Sequence, residues 1–400
     1  MAANTDQSDA SPNGVGAGGF SNALHQLKYG LLPLILVVSS ALLLAGGAWL
    51  WLLPIIVVSF ATWIDEAFGN LDADHALNPV LMNAWLISCL PLTLVMSLLT
   101  SALAGAETGF IAWLDASLLP LGVDFAANRA ATSAQELTAA VLGVGILFGA
   151  AAVNVAHELI HRADKLLYTI GRWLLAFTFD TTFAIEHVYG HHRYVATRRD
   201  PATARRGEYV LAFVWRSTIG QFVNAFEIET KRLSRKNLPI VSHHNKALRG
   251  QFMSVALVLL HLVLVGWPGL IVFVLLGLPG KMYLEIVNYV EHYGLVREEG
   301  SRVEPRHSWN CDRLISNTLL FNLPRHSHHH ANASKPFWEL HSLEGAPLMP
   351  HGYKVMMLLS LFPPLWNSKL EPLLDRWEAD LATEGEKRII AEERGALSAG

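Results

Sequence analysis

Charge is scarce in this 400-residue chain. Asp, Glu, Lys and Arg make up 16% of it, against about a quarter in ordinary soluble proteins. Hydrophobic residues make up 52%, enough for a large core but with too little charge to cover that core in water. So much apolar surface would collapse in water, which excludes a disordered chain. A basic excess is also lacking: the net charge is −4 and no basic module stands out, which argues against nucleic-acid binding. Cysteine is nearly absent. Cys89 and Cys311 are too few for a disulfide framework, a zinc ribbon or an iron–sulfur cluster within the chain. What remains is an integral membrane protein.

Residues 1–26 are rich in Ala, Asn, Ser and Gly and carry no basic n-region, so they read as a disordered tail and not a cleaved signal peptide. Apolar runs at 31–45 and 49–63 flank Gly46-Gly47, a turn signal. Each falls short of the usual twenty or so residues, so one kinked or re-entrant pair is the alternative. Further runs occupy 84–106, 136–156, 253–265 and 270–290, the last two separated by Gly266-Trp267-Pro268-Gly269. The pattern predicts an all-α integral membrane domain over 27–375 with six transmembrane helices, then a charged tail over 376–400. The stretch 356–366, with Pro363-Pro364, is too short to span and belongs at the interface. Of the 30 Lys and Arg, 15 lie between Arg162 and Arg249 and 13 from Lys281 onward. That bias puts both long polar segments on the cytoplasmic side. The loop 65–79 should share that side, although it carries no Lys or Arg.

Nine of the eighteen histidines are ligand candidates, gathered in four short windows. In His157-Glu158-Leu159-Ile160-His161, i, i+4 spacing puts both imidazoles on one helical face. Glu186-His187-Val188-Tyr189-Gly190-His191-His192 repeats that spacing at His187 and His191 and adds His192. In His326-Ser327-His328-His329-His330, positions 326, 329 and 330 share a face. The fourth window is His292, within Asn288-Tyr289-Val290-Glu291-His292-Tyr293-Gly294. One such pair is a weak signal, since zinc peptidases also carry His-Glu-x-x-His and helix ends are often polar. Four windows on one predicted side outweigh that reading. A zinc ion takes three or four protein ligands, so nine histidines imply at least two ions with four or five ligands each. Imidazole suits iron, copper, zinc and nickel alike, and the residues alone leave the metal open.

Glu158, Glu186 and Glu291 adjoin three windows. They are assigned to accept the outer N–H of ligating imidazoles and so fix their tautomer. Direct metal binding or helix capping by one of them is the alternative. Asp200, followed by Pro201, is a further candidate for that work.

Together these motifs resemble the alkane 1-monooxygenases, integral-membrane non-heme di-iron hydroxylases related to the fatty acid desaturases. Residues 157–162 match the first histidine box of that family. Residues 186–192, running on through Val195-Ala196-Thr197 and Asp200-Pro201-Ala202, match the second. Residues 288–294 match its histidine-tyrosine-glycine motif, and His307-Ser308-Trp309-Asn310 with 323–331 match the third box and its approach. The likeness covers about residues 150–375. It implies a cytoplasm-facing di-iron site held by His157, His161, His187, His191, His192, His292, His326, His329 and His330. Three positions depart from the pattern: His328 where Asp is usual, Ile160 where Gly is usual and Pro324 where Gln is usual. His328, two residues from His326, points off the ligand face and is assigned outside the set, with His307 as a supporting residue. His243, His244 and His261 match no motif and are read as structural.

The resemblance implies hydroxylation of the terminal methyl carbon of n-alkanes to primary alcohols, with O2 and two electrons, at a bacterial inner membrane. No cysteine quartet, Rossmann glycine motif or flavin motif is present to supply electrons. They are expected in trans, from rubredoxin or a ferredoxin-type donor with an NAD(P)H-dependent reductase. Arg198, Arg199, Arg205 and Arg206 could dock an acidic donor, although positive-inside topology by itself accounts for them. Substrate would come laterally from the bilayer. Trp49, Trp51, Trp63 and Trp85 would either line its tunnel or act as interfacial anchors. The alternative is methyl hydroxylation of alkyl-aromatics, because residues 344–350 and 362–366 look at least as much like xylene and cymene monooxygenases. A lipid desaturase fits the third box less well. A metal transporter would carry a polar ladder at mid-span, and none is seen.

Overall fold

A computed structural model describes residues 23–71 and 76–398. The expected tail lies outside the described residues as far as residue 22, and residues 23–26 already form part of the first helix. The described residues are helical, with no strand and only the isolated bridges Asn70–Arg313 and Asn310–Leu348. In hydrocarbon a helix is one of the few ways to satisfy every backbone N–H and C=O internally, and the apolar runs fold accordingly. They lie in α1 (Ala23–Ala45), α2 (Gly47–Phe68), α3 (Pro79–Leu103) and α4 (Ala134–Ile160). Asn78 caps α3 through the amides of Val80 and Leu81 ahead of Pro79, and Ser133 with Glu136 forms a capping box on α4. At 23 and 22 residues, α1 and α2 are each long enough to cross, so the kinked-pair alternative falls.

On the polar side follow α5 (Lys165–Ala176) and α6 (Val210–Ser234). Next comes α7 (Lys246–His292), nominally one helix of 47 residues. It is folded double at Gly266, whose φ of 69° and ψ of −175° are not helical. His261 stacks on Phe273 with ring centroids 3.7 Å apart, whereas twelve residues of straight helix would span ~18 Å. Gly46, between α1 and α2, has nearly the same φ and ψ, 64° and −167°. Positive φ of this kind is where glycine is needed. Four helices and the two arms of α7 thus give the expected six crossings.

Both glycine turns lie at one end of the bundle with residues 104–133. Ala106 N–H donates to Val265 O (3.0 Å), Gly47 N–H to Thr132 Oγ1 (2.9 Å) and Asn128 Nδ2 to Leu44 O (2.9 Å). The apolar pair Gly109–Leu121 and Phe125–Ala131 is bent by 111° and returns to this end. Arg129 is its one basic residue, and residues 65–71 lie at the opposite, histidine-bearing end, where the Leu71 amide donates to Asp312 O (2.6 Å) and Asp65 accepts from the Ser316 amide (2.9 Å). Small residues on α4 set how closely the crossings approach. A Cβ on Gly145 would meet Pro279, and one on Gly149 would sit 2.2 Å from the Tyr283 ring.

Helix α6 buries three polar side chains among apolar ones and exposes large apolar residues on its outer side. Ser217, Gln221 and Glu229 are buried, while Trp215, Ile219 and Phe222 are exposed. Gln221 donates to Glu285 (2.9 Å), which with Asp180 also takes the Lys281 ammonium, at 2.5 and 2.6 Å. The stretch 356–366 does not span, in line with expectation. It divides between Tyr353–Ser360 and the proline-started helix Pro363–Asp380. The charged tail is helical (Glu384–Ser398) and packs back on the body. Trp377 Nε1 donates to Arg306 O (2.7 Å), and Glu386 pairs with His307 (2.8 Å). Burial alone would raise the Glu386 carboxyl, but His307 and Arg306 hold it down to about 2. Two of the four arginines offered as a donor dock are engaged by this C-terminal segment: Arg206 by Glu371 and Asp375, Arg198 by Glu393. Trp49, Trp51 and Trp63 are exposed, as interfacial anchors would be, and Trp85 packs on Gly30.

Candidate metal centre

Four elements carry the nine imidazoles to one place. Helix α4 ends in His157 and His161, directly after a π-helical stretch, Gly149–Asn154. The short helix Phe183–Glu186 passes into a second π-helix, His187–His191, followed by His192. The second arm of α7 ends at His292, and the helix His326–Ala331 supplies the remainder.

The nine fall into two donor groups, His157, His161, His187, His192 and His329 in one, and His191, His292, His326 and His330 in the other. Within each group the donor atoms all lie within 4.8 Å of one another. Contacts between Nε2 atoms mark the two centres. His187–His192 is 3.1 Å and His192–His329 is 3.0 Å in the first; His292–His326 is 3.2 Å and His326–His330 is 3.0 Å in the second. The sequence reading paired His187 with His191 on one α-helical face, and this is corrected. A π-helix widens the turn to i→i+5 bonding, so His187 meets His192 and His191 turns to the other group. The third box is divided likewise, His326 with His330 and His329 apart.

The site accepts metal on chemical grounds. Burial, then the neighbouring imidazoles, hold His187, His192, His326, His329 and His330 well below the usual imidazole range. They stay neutral and offer lone pairs near pH 7. The Nε2 atoms of His157, His161 and His191 are buried with no hydrogen-bond partner, although each points into its group. Burying so many unpaired ring nitrogens is unfavourable unless something binds there.

The carboxylates take different places from one another. Asp200 lies against the outer nitrogen of an imidazole, accepting from His191 Nδ1 at 2.9 Å. Thr203 Oγ1 (2.6 Å) and the Ala202 amide (3.0 Å) hold it in turn. Burial works against its charge, yet His191 and Thr203 keep it below the ordinary carboxylate range. Asp200→Asn should lower metal affinity or activity by about 10–100-fold, as loss of such outer partners does. Unchanged metal content and turnover would remove Asp200 from that role. Glu291 stands on the other side of an imidazole. One oxygen is 3.2 Å from His326 Nε2, the donor that faces the metal position, and the other accepts from Tyr353 OH (3.0 Å). That placement fits direct metal contact better than the outer N–H role. Glu158 and Glu186 touch no imidazole, contrary to the sequence reading. Glu158 pairs with Arg162 and accepts the Phe337 amide (3.1 Å), and Glu186 accepts from Asn224 (3.1 Å). Their chain neighbours His157 and His187 are drawn inward, which turns the adjacent side chains outward.

His328 lies outside both groups. Its Nδ1 accepts the His341 amide at 3.0 Å, and burial pushes it down to about 4. An aspartate can accept the same amide, so His328→Asp should keep full metal content and at least about half of wild-type activity. An inactive variant would place His328 nearer the metals. His307 supports His292 through its carbonyl, 3.4 Å from the ligand's Nδ1. His261 is structural, bonded to Leu257 O and Ser97 and stacked on Phe273. Two polar residues escaped the sequence reading. Tyr353 steadies Glu291, and Asn154 lies one turn before His157 beside the ligand rings. Asn154 was the more visible, as a lone amide in an apolar run three positions from a candidate ligand.

The chain is similar to known proteins. The fatty acid desaturase family matches residues 132–359. Alkane 1-monooxygenase 2 of Pseudomonas aeruginosa is 39% identical over 237 residues, 58% of this chain and 63% of that protein. Alkane 1-monooxygenase of Acinetobacter baylyi is 38% identical over 247 residues, 60% of each chain. The xylene/toluene monooxygenase hydroxylase component of Pseudomonas putida is 30% identical over 373 residues, 92% of this chain and 94% of that protein. The matched part thus spans about three fifths of those two alkane monooxygenases and nearly all of the xylene/toluene component.

Proposed function

The chain belongs to the fatty acid desaturase family, and from that premise we propose that it is a membrane-bound di-iron monooxygenase acting on the terminal methyl carbon of n-alkanes. The observation that carries this reading is the pair of all-histidine donor groups at the polar end of an apolar bundle. Two irons held by the nine histidines would supply dioxygen activation, one oxygen atom going into a C–H bond and the other leaving as water. The protein's own part is positional. Asp200 fixes the His191 tautomer, Tyr353 steadies Glu291 against the metal side of His326, and the buried bundle keeps bulk water from the reacting carbon. Hydrocarbon can reach this depth from the bilayer without crossing water. The Lys and Arg bias supports a cytoplasmic histidine end at the inner membrane.

Two electrons per turnover are to come from rubredoxin or a ferredoxin-type protein with its reductase. Cys89 and Cys311 are single buried thiols, and burial pushes Cys311 up to about 12. A second reading, hydroxylation of methyl groups on aromatic rings, draws support from the xylene/toluene match, which covers 92% of this chain.

Gas chromatography of cells expressing the chain with rubredoxin and its reductase tests both. Fed octane, hexadecane and p-xylene together, they should yield primary alkanols. Methylbenzyl alcohol alone would move the assignment to the aromatic branch. Turnover by purified protein with NADH and no donor protein would contradict electron supply in trans.

A further inference from the structure

Two small cavities have in their walls two side chains that touch each other. The inner one, about 20 Å³, abuts His157, His187 and His326 and is walled by Gly149, Val153 and Tyr283. The outer one, about 30 Å³, opens among Leu32, Ile35, Ile56, Ile146 and Ala150, with Lys354 in its wall. Each has room for about one or two waters. No hydrocarbon terminus fits beside the histidines until a side chain moves.

Tyr283 and Lys354 link the two walls. The tyrosine ring rests on Gly149, where any Cβ would collide with it. Its hydroxyl accepts from Lys354 Nζ at 2.6 Å, and the ammonium lies 4.1 Å from the ring centroid. Tyr283 walls the inner cavity, Lys354 walls the outer one, and their hydrogen bond joins the two walls. Lys354 makes no ion pair among the described residues, unlike Lys281, which binds two carboxylates. Among the described residues Tyr283 is the one hydrogen-bond partner of the Lys354 amine, and Asp65 acts on it only through space. An amine so placed in an apolar wall is a poor stabilising device, since an apolar side chain would avoid its desolvation. It is well suited to a contact that has to break. The preceding residue, Tyr353, holds Glu291 beside His326, so the same helix end serves both the cavity wall and the candidate metal site.

We infer that the Tyr283–Lys354 pair is the gate on the hydrocarbon path, a specificity-determining contact that must part before a chain end reaches the histidines. This rests on the hydroxylase reading for the nature of its ligand. The pair acts by position and takes no part in the chemistry.

The test uses full-length, metal-loaded protein in membranes with a decyl diazirine as photoaffinity probe. Labelled peptides are sorted into those around 32–35 and 56–57, outside the gate, and those around 153–154 and 284–287, inside it. Tyr283→Phe keeps the ring and removes the hydroxyl; Lys354→Met keeps the length and removes the amine. Each should raise the inside-to-outside labelling ratio by about fivefold, the factor one ordinary hydrogen bond contributes. Equal ratios in wild type and both variants, at wild-type metal content, would overturn the gate. So would wild-type protein labelled on neither side. Labelling needs no turnover, so a protein that oxidises no hydrocarbon would defeat the hydroxylase reading while the ratio still decides the gate.

Discussion

Replacing His187 and His192 together with alanine should empty one ion site and leave the other filled, whereas replacing His187 and His191 should cripple both. The expected iron content is about one per chain in the first variant, which takes two of five imidazoles from one group, whereas in the second each group loses one imidazole and both ions should be held more weakly. Turnover should fall by more than about 100-fold in either, beyond the loss typical of an outer partner alone. The contrast follows from the π-helical turn, in which His187 and His192 lie 3.1 Å apart at Nε2 while His191 joins His292, His326 and His330. Iron analysis and Mössbauer spectra of the two variants separate the cases. If the His187/His191 variant kept one intact iron and the His187/His192 variant kept none, the α-helical pairing would be right and the division of the nine residues wrong.

Lys281→Met is expected to destabilise the folded bundle by about 3–5 kcal/mol, the usual cost of removing one partner from a buried ionic cluster. Lys281 binds Asp180 at 2.6 Å and Glu285 at 2.5 Å, and Gln221 of α6 reaches the same Glu285. Three segments meet there: the turn that leads into the second histidine box, the arm that carries His292, and α6. Without the ammonium, two carboxylates face each other away from water. Replacing Asp180 and Glu285 by leucine alongside Lys281→Met removes that repulsion and should restore part of the stability. Thermal unfolding in detergent, followed by size-exclusion chromatography, reads both effects. A melting temperature equal to wild type in Lys281→Met would mean that the cluster is solvated and contributes little.

The six crossings were legible as apolar runs, although the runs 31–45, 49–63 and 253–265 are shorter than the helices that contain them, and the nine histidines because four windows at one end are hard to explain otherwise. What escaped the sequence was register and direction. A π-helix of five residues, His187–His191, changes which imidazoles meet, and α-helical spacing cannot register it. Glu158, Glu186 and Glu291 look alike beside their histidines, yet one binds an arginine, one an asparagine and one the metal side of His326. Neighbours in sequence share a backbone but not a direction, and tertiary packing decides the latter. Lys354 gave no signal, because a lone lysine in a polar-looking C-terminal stretch reads as surface. The docking of Glu384–Ser398 depends on Trp377 and Glu386 finding Arg306 and His307, partners far away in the chain.

The far end of the bundle bears on how the chain gets into the membrane at all. Each of the turns at Gly46 and Gly266 is made by a few apolar or small residues, with no charged loop attached. The pairs 23–68 and 246–292 can therefore slide into the lipid as ready-made hairpins, their tips bare of anything that prefers water. If the histidine end is cytoplasmic, as proposed, then among the described residues the stretch 104–133 is what has to be ferried across with charges on board, among them Glu107, Asp115, Asp124 and Arg129. Biogenesis then depends mainly on that one passenger segment. Lengthening either glycine tip with a charged insert would give the insertion machinery a second load to carry, and depletion of that machinery would be felt there first.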